Sequence, residues 1–165
     1  MDALAALSPV SDAYASLPIG DAFDWTEAAR ELGAGEWYMV AFRSIRRPDV
    51  DEARLTSHDD WAHSEAMGAS GFVHYFKGPT QEDGHCMSFC LWDSRAEARA
   101  AAGRPAHTEA AALTHEAYAE YTLEFHRVTL VAGRGFEFEV YDDNRPWKIV
   151  EPQLPLALNP RLAPS

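Results

Sequence analysis

The 165-residue sequence has only two cysteines, 14 basic residues against 26 acidic ones, and no long run of apolar residues. Each scarcity excludes something. A bilayer span needs about 18 or more successive apolar residues, so no membrane insertion is expected. The N-terminus lacks a basic region followed by a hydrophobic run, which leaves a cytoplasmic location as the expectation. A formal net charge of −12 repels phosphate groups. Nucleic acid and anionic membrane surfaces are therefore not expected as partners, and a neutral or cationic small molecule or a protein is favoured. Cys86 and Cys90 share one face of an extended segment about 13 Å apart at roughly 3.3 Å per residue, too far to pair. Their spacing is not C-x-x-C, so they read as buried strand thiols. There is no H-E-x-x-H (His115-Glu116 lacks a second His), no G-x-S-x-G elbow, no phosphate-binding glycine loop and no internal repeat.

What is present is one domain's worth of apolar residues, 47% of the chain, ample for a core. Residues 1–36 read as an N-terminal extension with one short helix, capped by Asp24 with Glu27 three residues on and ended by Gly33. Residues 37–130 read as the main domain. The first strand, Trp37 to Ile45, is apolar on both alternating faces up to Arg43 and Ser44, so both faces need burial. A helix is expected over 57–67, capped by Ser57 or Asp59. Strands follow from Phe72 to Lys77 and from His85 to Trp92, joined as a hairpin by the turn-forming residues 78–84. Ser94-Arg95-Ala96-Glu97 has capping-box spacing and opens an Ala-rich helix. Gly103 breaks that helix and Pro105 restarts it, to run to about Tyr118. A fourth strand covers 121–130. Residues 131–165 read as an added strand, Phe136 to Tyr141 with one wet face, and a Pro-rich C-terminal arm. The arm keeps Trp147, Ile149, Leu154, Leu156 and Leu158, which suits a segment lying along its own domain or a partner.

The order β-α-β-β-α-β predicts an α+β, ferredoxin-like antiparallel sheet with helices on one face. Two helices cover only one face. The other is apolar too, so a second copy of the chain is expected against it, making a homodimer.

The segment WDSRAEARAAAGRPAH (Trp92 to His107), together with the strand HCMSFCLW before it, resembles the second half of the dimeric α+β barrel superfamily, particularly antibiotic-biosynthesis-monooxygenase-like domains. In that superfamily two sheets form a barrel, and each subunit encloses a pocket between its sheet and its helices. The resemblance implies either of two chemistries. Cofactor-independent members deprotonate an electron-rich phenol in an aromatic and polar pocket and let the carbanion meet oxygen. Haem-binding or haem-degrading members ligate iron through a helix His near His107, with a strand-end Trp shaping the pocket as Trp92 would here. The first strand, WYMVAF, has no Asn at the pocket position those haem relatives use.

His107 follows a helix break and would share a stripe with Ala111, His115 and Tyr118 that could line a cavity, where an imidazole acts as base, acid or axial ligand. Capping of the helix is the bland alternative. His74, between Phe72 and Phe76, is expected to point into a buried layer, either for proton transfer or as a hydrogen-bonded core His. Arg43 would hold an anion or seal the sheet rim in a salt bridge. His58, Asp59, Asp60 and His63 resemble metal ligands, but His58 and His63 diverge by about 140° on a helix, so a solvated helix start is the better reading. No metal is assigned.

Three functions are carried forward. The first is a cofactor-independent, monooxygenase-like enzyme acting on a small apolar aromatic or polyketide-like molecule, with His107, His74 and Arg43 catalytic and Trp92, Tyr75, His115 and Tyr118 binding substrate. The second binds haem through His107. The third is a non-catalytic structural or assembly subunit that reaches a protein partner through residues 142–165.

Overall fold

The computed structural model describes residues 3–141 and the backbone of 147–149. Strand β1 (Gly35–Arg46) is the centre of the sheet. Its two apolar faces fit that place, since a central strand has a covering layer on each side. β2 (Phe72–Phe76), β3 (His85–Trp92), β4 (Tyr118–Val131) and β5 (Gly135–Val140) complete the order β2-β3-β1-β4-β5. Their pairings are all antiparallel. A short β6 (Trp147–Ile149) pairs with β4 at Tyr121 to Leu123. With α3 (Glu52–Met67) after β1, and α4 (Arg95–Ala102) and α5 (Pro105–Ala112) after β3, the sheet order β4-β1-β3-β2 is the expected ferredoxin-like arrangement. Among the described residues no helix is long and apolar enough to cross a membrane.

The capping box forms as expected: Ser94 Oγ accepts from the Glu97 amide at 3.3 Å and donates to its carboxylate at 3.0 Å. Gly103 ends α4 and Pro105 opens α5. Other elements differ from expectation. α3 begins five residues early because Asp51, not Ser57 or Asp59, caps it, accepting from the Arg54 amide at 3.0 Å. The last helix does not reach Tyr118. It stops at Ala112, and after a separate turn, α6 (Thr114–Ala117), β4 begins at Tyr118 itself. The stripe His107, Ala111, His115, Tyr118 therefore does not exist as one helical face. In β2 a register shift between Phe72 and His74 puts Phe72 against Trp92 on the helix side (ring centroids 5.4 Å). His74 faces the opposite way, 6.4 Å from Phe89.

The largest difference lies at the N-terminus, which belongs to the core. A 3-10 turn (Tyr14–Ser16), α1 (Ile19–Ala22) and α2 (Thr26–Glu31) lie on the sheet face opposite α3 to α5. Leu4, Tyr14, Ile19, Ala22, Phe23, Trp25 and Ala28 are buried there in one cluster with Met39, Ala41, Phe76, Met87, Phe89 and Leu91. A second subunit is not needed to cover this face, because the chain covers it itself. Tyr14 latches the segment down: its hydroxyl donates to the Pro79 carbonyl at 2.6 Å and accepts from the Met87 amide at 3.2 Å. The close approach needs glycine at position 78, where a Cβ would lie 1.9 Å from the Met87 carbonyl oxygen and 2.4 Å from the Tyr14 hydroxyl. The added strand is also found. Phe136 and Phe138 pack against this cluster, and Glu137 and Glu139 are exposed.

Phe23 is the hub of the segment, with ring centroids of Tyr14, Trp25, Phe76 and Phe89 at 5.5, 5.9, 5.0 and 5.9 Å. Phe23→Ala is expected to cost about 3–5 kcal/mol, the usual range for a buried aromatic truncated in a packed core. Urea unfolding measures this, and a loss under about 1 kcal/mol, the size of a typical single-site effect, would contradict a core role for the segment.

Candidate active site between the sheet and the helices

The two sheet faces are packed differently. Towards the N-terminal segment, Met39, Ala41, Met87, Phe89 and Val128 are each 0% exposed. Towards the helices Tyr38, Trp92, Ala98 and Ala101 form a smaller buried cluster at one end, and Ala106, Leu113 and Ala117 are buried in the helix layer itself. α3 has no buried residue at all, and Phe42, Ser44, Tyr75, Cys90, Tyr118 and Tyr121 beneath the helix layer are half-buried. Register sets this surface: Tyr75 pairs with Cys90, Cys90 with Val40, and Val40 with Phe125. Phe42 lies between Ser88 and Leu123, and Ser44 beside Tyr121. The Tyr118 and Tyr121 rings meet at a tilt with centroids 5.2 Å apart, and Phe42 lies 6.3 Å from Tyr121.

α3 hangs two polar groups over this aromatic floor. Tyr75 Oη donates to Asp59 Oδ1 at 3.0 Å, and Asp59 Oδ2 lies 3.0 Å from Lys77 Nζ. The His63 ring rests 4.8 Å from the Tyr75 ring. Burial, reinforced by the Asp59 charge, pushes the Tyr75 phenol far above its usual pKa. Burial also raises Tyr118 to about 12, against the opposing pull of Arg46, lifts Tyr121 well above its ordinary value, and moves the Cys90 thiol to about 11. All four groups therefore keep their protons at neutral pH. The site offers protonated donors, aromatic walls and one carboxylate.

Three of the expected substrate residues, Tyr75, Tyr118 and Trp92, lie on this face. Trp92 is 4% exposed and donates its indole N–H to Cys90 Sγ at 3.0 Å, so it closes the end of the site as core. The other expected residues are elsewhere. His107 is exposed in the first turn of α5, its pKa lowered by partial desolvation against the Ala102 carbonyl and the Glu65 charge. His115 is exposed on α6. His74 and Arg43 face the N-terminal segment, where Arg43 pairs bidentately with Glu124 and donates to the Ala15 carbonyl at 2.7 Å. In the sequence Asp59 and His63 read as part of a solvated helix start, whereas the structure turns both towards Tyr75. Among the described residues no three His, Cys, Asp or Glu side chains are grouped to hold a metal ion.

A family model described as PB2B2.08-like matches residues 1–140. The chain belongs to the PB2B2.08-like family. In this PB2B2.08-like protein the match takes in the N-terminal segment as well as the sheet. No curated protein matches the chain. Among solved structures it is similar to SnoaB, a cofactor-independent oxygenase from Streptomyces nogalater (16% identity, 56% of this chain and 89% of that one, TM-score 0.43). It is also similar to Rv0793 from Mycobacterium tuberculosis (17%, 66% and 96%, 0.45). A third is a protein from Chloroflexus aurantiacus assigned as an antibiotic biosynthesis monooxygenase (20%, 60% and 97%, 0.45).

The Arg43 pair has a consequence for stability. Burial alone would raise the Glu124 carboxyl, but hydrogen bonds and charge from His126 and Arg43 outweigh it and hold the pKa below its ordinary value. A carboxyl depressed in the folded state contributes stability that is present above its unfolded pKa and lost as pH falls through the folded one. Between pH 6 and pH 3 the urea midpoint of the wild type should therefore fall more steeply than that of Glu124→Gln. Parallel pH dependences would show that Glu124 is not held by its partners.

Proposed function

We propose that the protein is a cofactor-independent, monooxygenase-like enzyme that binds a small, largely apolar aromatic or polyketide-like phenol between the sheet and the helices. The observation that carries this reading is the set of half-buried phenols that α3, a helix with no fully buried residue, covers with one carboxylate, Asp59, hydrogen-bonded to Tyr75. In this reading the phenol's O–H proton passes to Asp59, the acceptor among protonated neighbours. Tyr75 keeps its proton and positions the carboxylate, and Lys77 beside it offsets charge. The electron pair released onto the ring forms a C–O bond to dioxygen, which is reduced to a hydroperoxide, and loss of water leaves a quinone. SnoaB is described as a cofactor-independent oxygenase, but the reading here rests on the residues of this chain.

A haem does not fit. His107, the one imidazole the resemblance offers as an axial ligand, is exposed on α5, so iron held there would lie outside the sheet–helix space. The arm on which the assembly-subunit reading depends, residues 142–165, lies outside the described residues apart from the backbone of β6.

Oxygen consumption with a panel of naphthols, anthrones and hydroxyquinones tests the proposal. Asp59→Asn should lower kcat about 10²- to 10⁴-fold, the usual contribution of a general base, with KM little changed. Tyr75→Phe should retain the fold and lose less. Oxygen uptake that is absent from the wild type, or undiminished in Asp59→Asn, would overturn the assignment.

A further inference from the structure

On the opposite side of the sheet, the N-terminal segment and strands β4 and β5 enclose a cleft of about 880 Å³, within the range of small-molecule pockets. Its apolar walls include Leu17, Ile19, Trp25, Phe136 and Phe138, and its polar part is Arg43, Glu124 and His126. His126 has 8% of its side chain exposed, and its Nε2 lies 3.2 Å from Glu124 Oε2. An ionised carboxylate only accepts, so Nε2 carries the hydrogen and, in the neutral ring, Nδ1 presents a bare lone pair. Among the described residues Nδ1 is buried without a hydrogen-bond partner. Buried polar atoms are normally satisfied, so the atom marks where a donor is missing. Arg43 has no charge to spare, since Glu124 and the Ala15 carbonyl take up its guanidinium. With a chain charge of −12, an anionic ligand is disfavoured.

We propose that this cleft is a second ligand site, separate from the sheet–helix site, and that it takes a small uncharged apolar molecule bearing a hydroxyl group. The hydroxyl donates to His126 Nδ1, Glu124 fixes the imidazole tautomer, Arg43 fixes Glu124, and the aromatic walls hold the apolar body. The tautomer is the specificity device. The lone pair of a neutral ring nitrogen accepts from an alcohol or phenol and repels a carboxylate.

The test is calorimetric titration of the full chain with 2-naphthol, naphthalene and 2-naphthoate, followed by side-chain ¹⁵N NMR of His126. Besides any 2-naphthol held in the sheet–helix space, the wild type should bind one 2-naphthol per chain about 10-fold or more tighter than either analogue, as expected where a site hydrogen-bonds a substrate hydroxyl. Binding should shift the Nδ1 resonance. His126→Phe should retain naphthalene binding and lose the preference for naphthol. Val140→Trp, at the half-exposed rim, should weaken all three, and Tyr75→Phe should leave the His126-dependent preference unchanged. Equal affinity of the wild type for naphthol and naphthalene would overturn the proposal, as would a preference that survives His126→Phe. A preference lost in Tyr75→Phe instead would place the naphthol in the sheet–helix space and refute the second site, leaving the proposed enzyme reading standing. Those comparisons in the unmodified chain decide the matter even if His126→Phe fails to fold.

Discussion

An antiparallel sheet whose central strand is apolar on both faces needs two covers, and the rest of this structure follows from how the second is supplied. The helices after β1 and β3 lie on one side. On the other, residues 3–31 of the same chain bury Tyr14, Ile19, Phe23 and Trp25 against Met39, Met87 and Phe89. The latch between Tyr14 and the β3 backbone fixes the segment in place. It also makes Gly78 obligatory, because any side chain there would occupy the space of the phenol. Apolar burial of this kind is roughly proportional to area removed from water, so the aromatic cluster supplies a large share of the folding free energy.

Stability concentrated on one face leaves the other free to be loose. A helix with no fully buried residue, as α3 is, contributes little to the core and leaves the groups beneath it half-buried. Those groups have chemistry, for they are phenols and a thiol held protonated by burial. Low polarity makes each donor stronger towards a bound anion, and Asp59 is the carboxylate that accepts among them. The same looseness that costs packing creates the acid–base contrast.

Much of the fold was legible in the sequence, and the reasons are local. The capping box at Ser94 and Glu97, the Gly103 and Pro105 break, and the alternation of Phe136 to Val140 depend on neighbours in the chain, so they appeared where expected. The N-terminal segment was misread because its apolar residues, Leu4, Leu7, Tyr14, Ile19 and Phe23, follow no helical or strand period. Their burial is decided by the sheet they meet, not by their spacing. The site was half legible for the same reason. Tyr75 and Tyr118 were picked by residue type, whereas His107 and His115 were picked from a helical stripe that Leu113 interrupts. Asp59 and His63 read as part of a solvated helix start, because nothing in a polar helix tells which way such a face turns. Glu124 and His126 carried a readable signal, two polar residues at strand spacing flanking Phe125, and their meaning depended on Arg43 in the neighbouring strand.

That meaning comes down to alternation. Along β4, Tyr121, Leu123 and Phe125 face the helices, and Thr122, Glu124 and His126 face the N-terminal segment. β1 does the same with Phe42 and Ser44 against Ala41 and Arg43. The sheet thus acts as a partition. Had Arg43 fallen one residue earlier or later, its guanidinium would join Arg46 beside the phenols and further oppose the rise in their pKa values, since an opposite charge favours the ionised form. Placed where it is, it is neutralised by Glu124 on the far side, and the phenols of the helix side keep their protons. The period of two in a strand is therefore sufficient to hold two incompatible electrostatic environments back to back on the same residues' backbone.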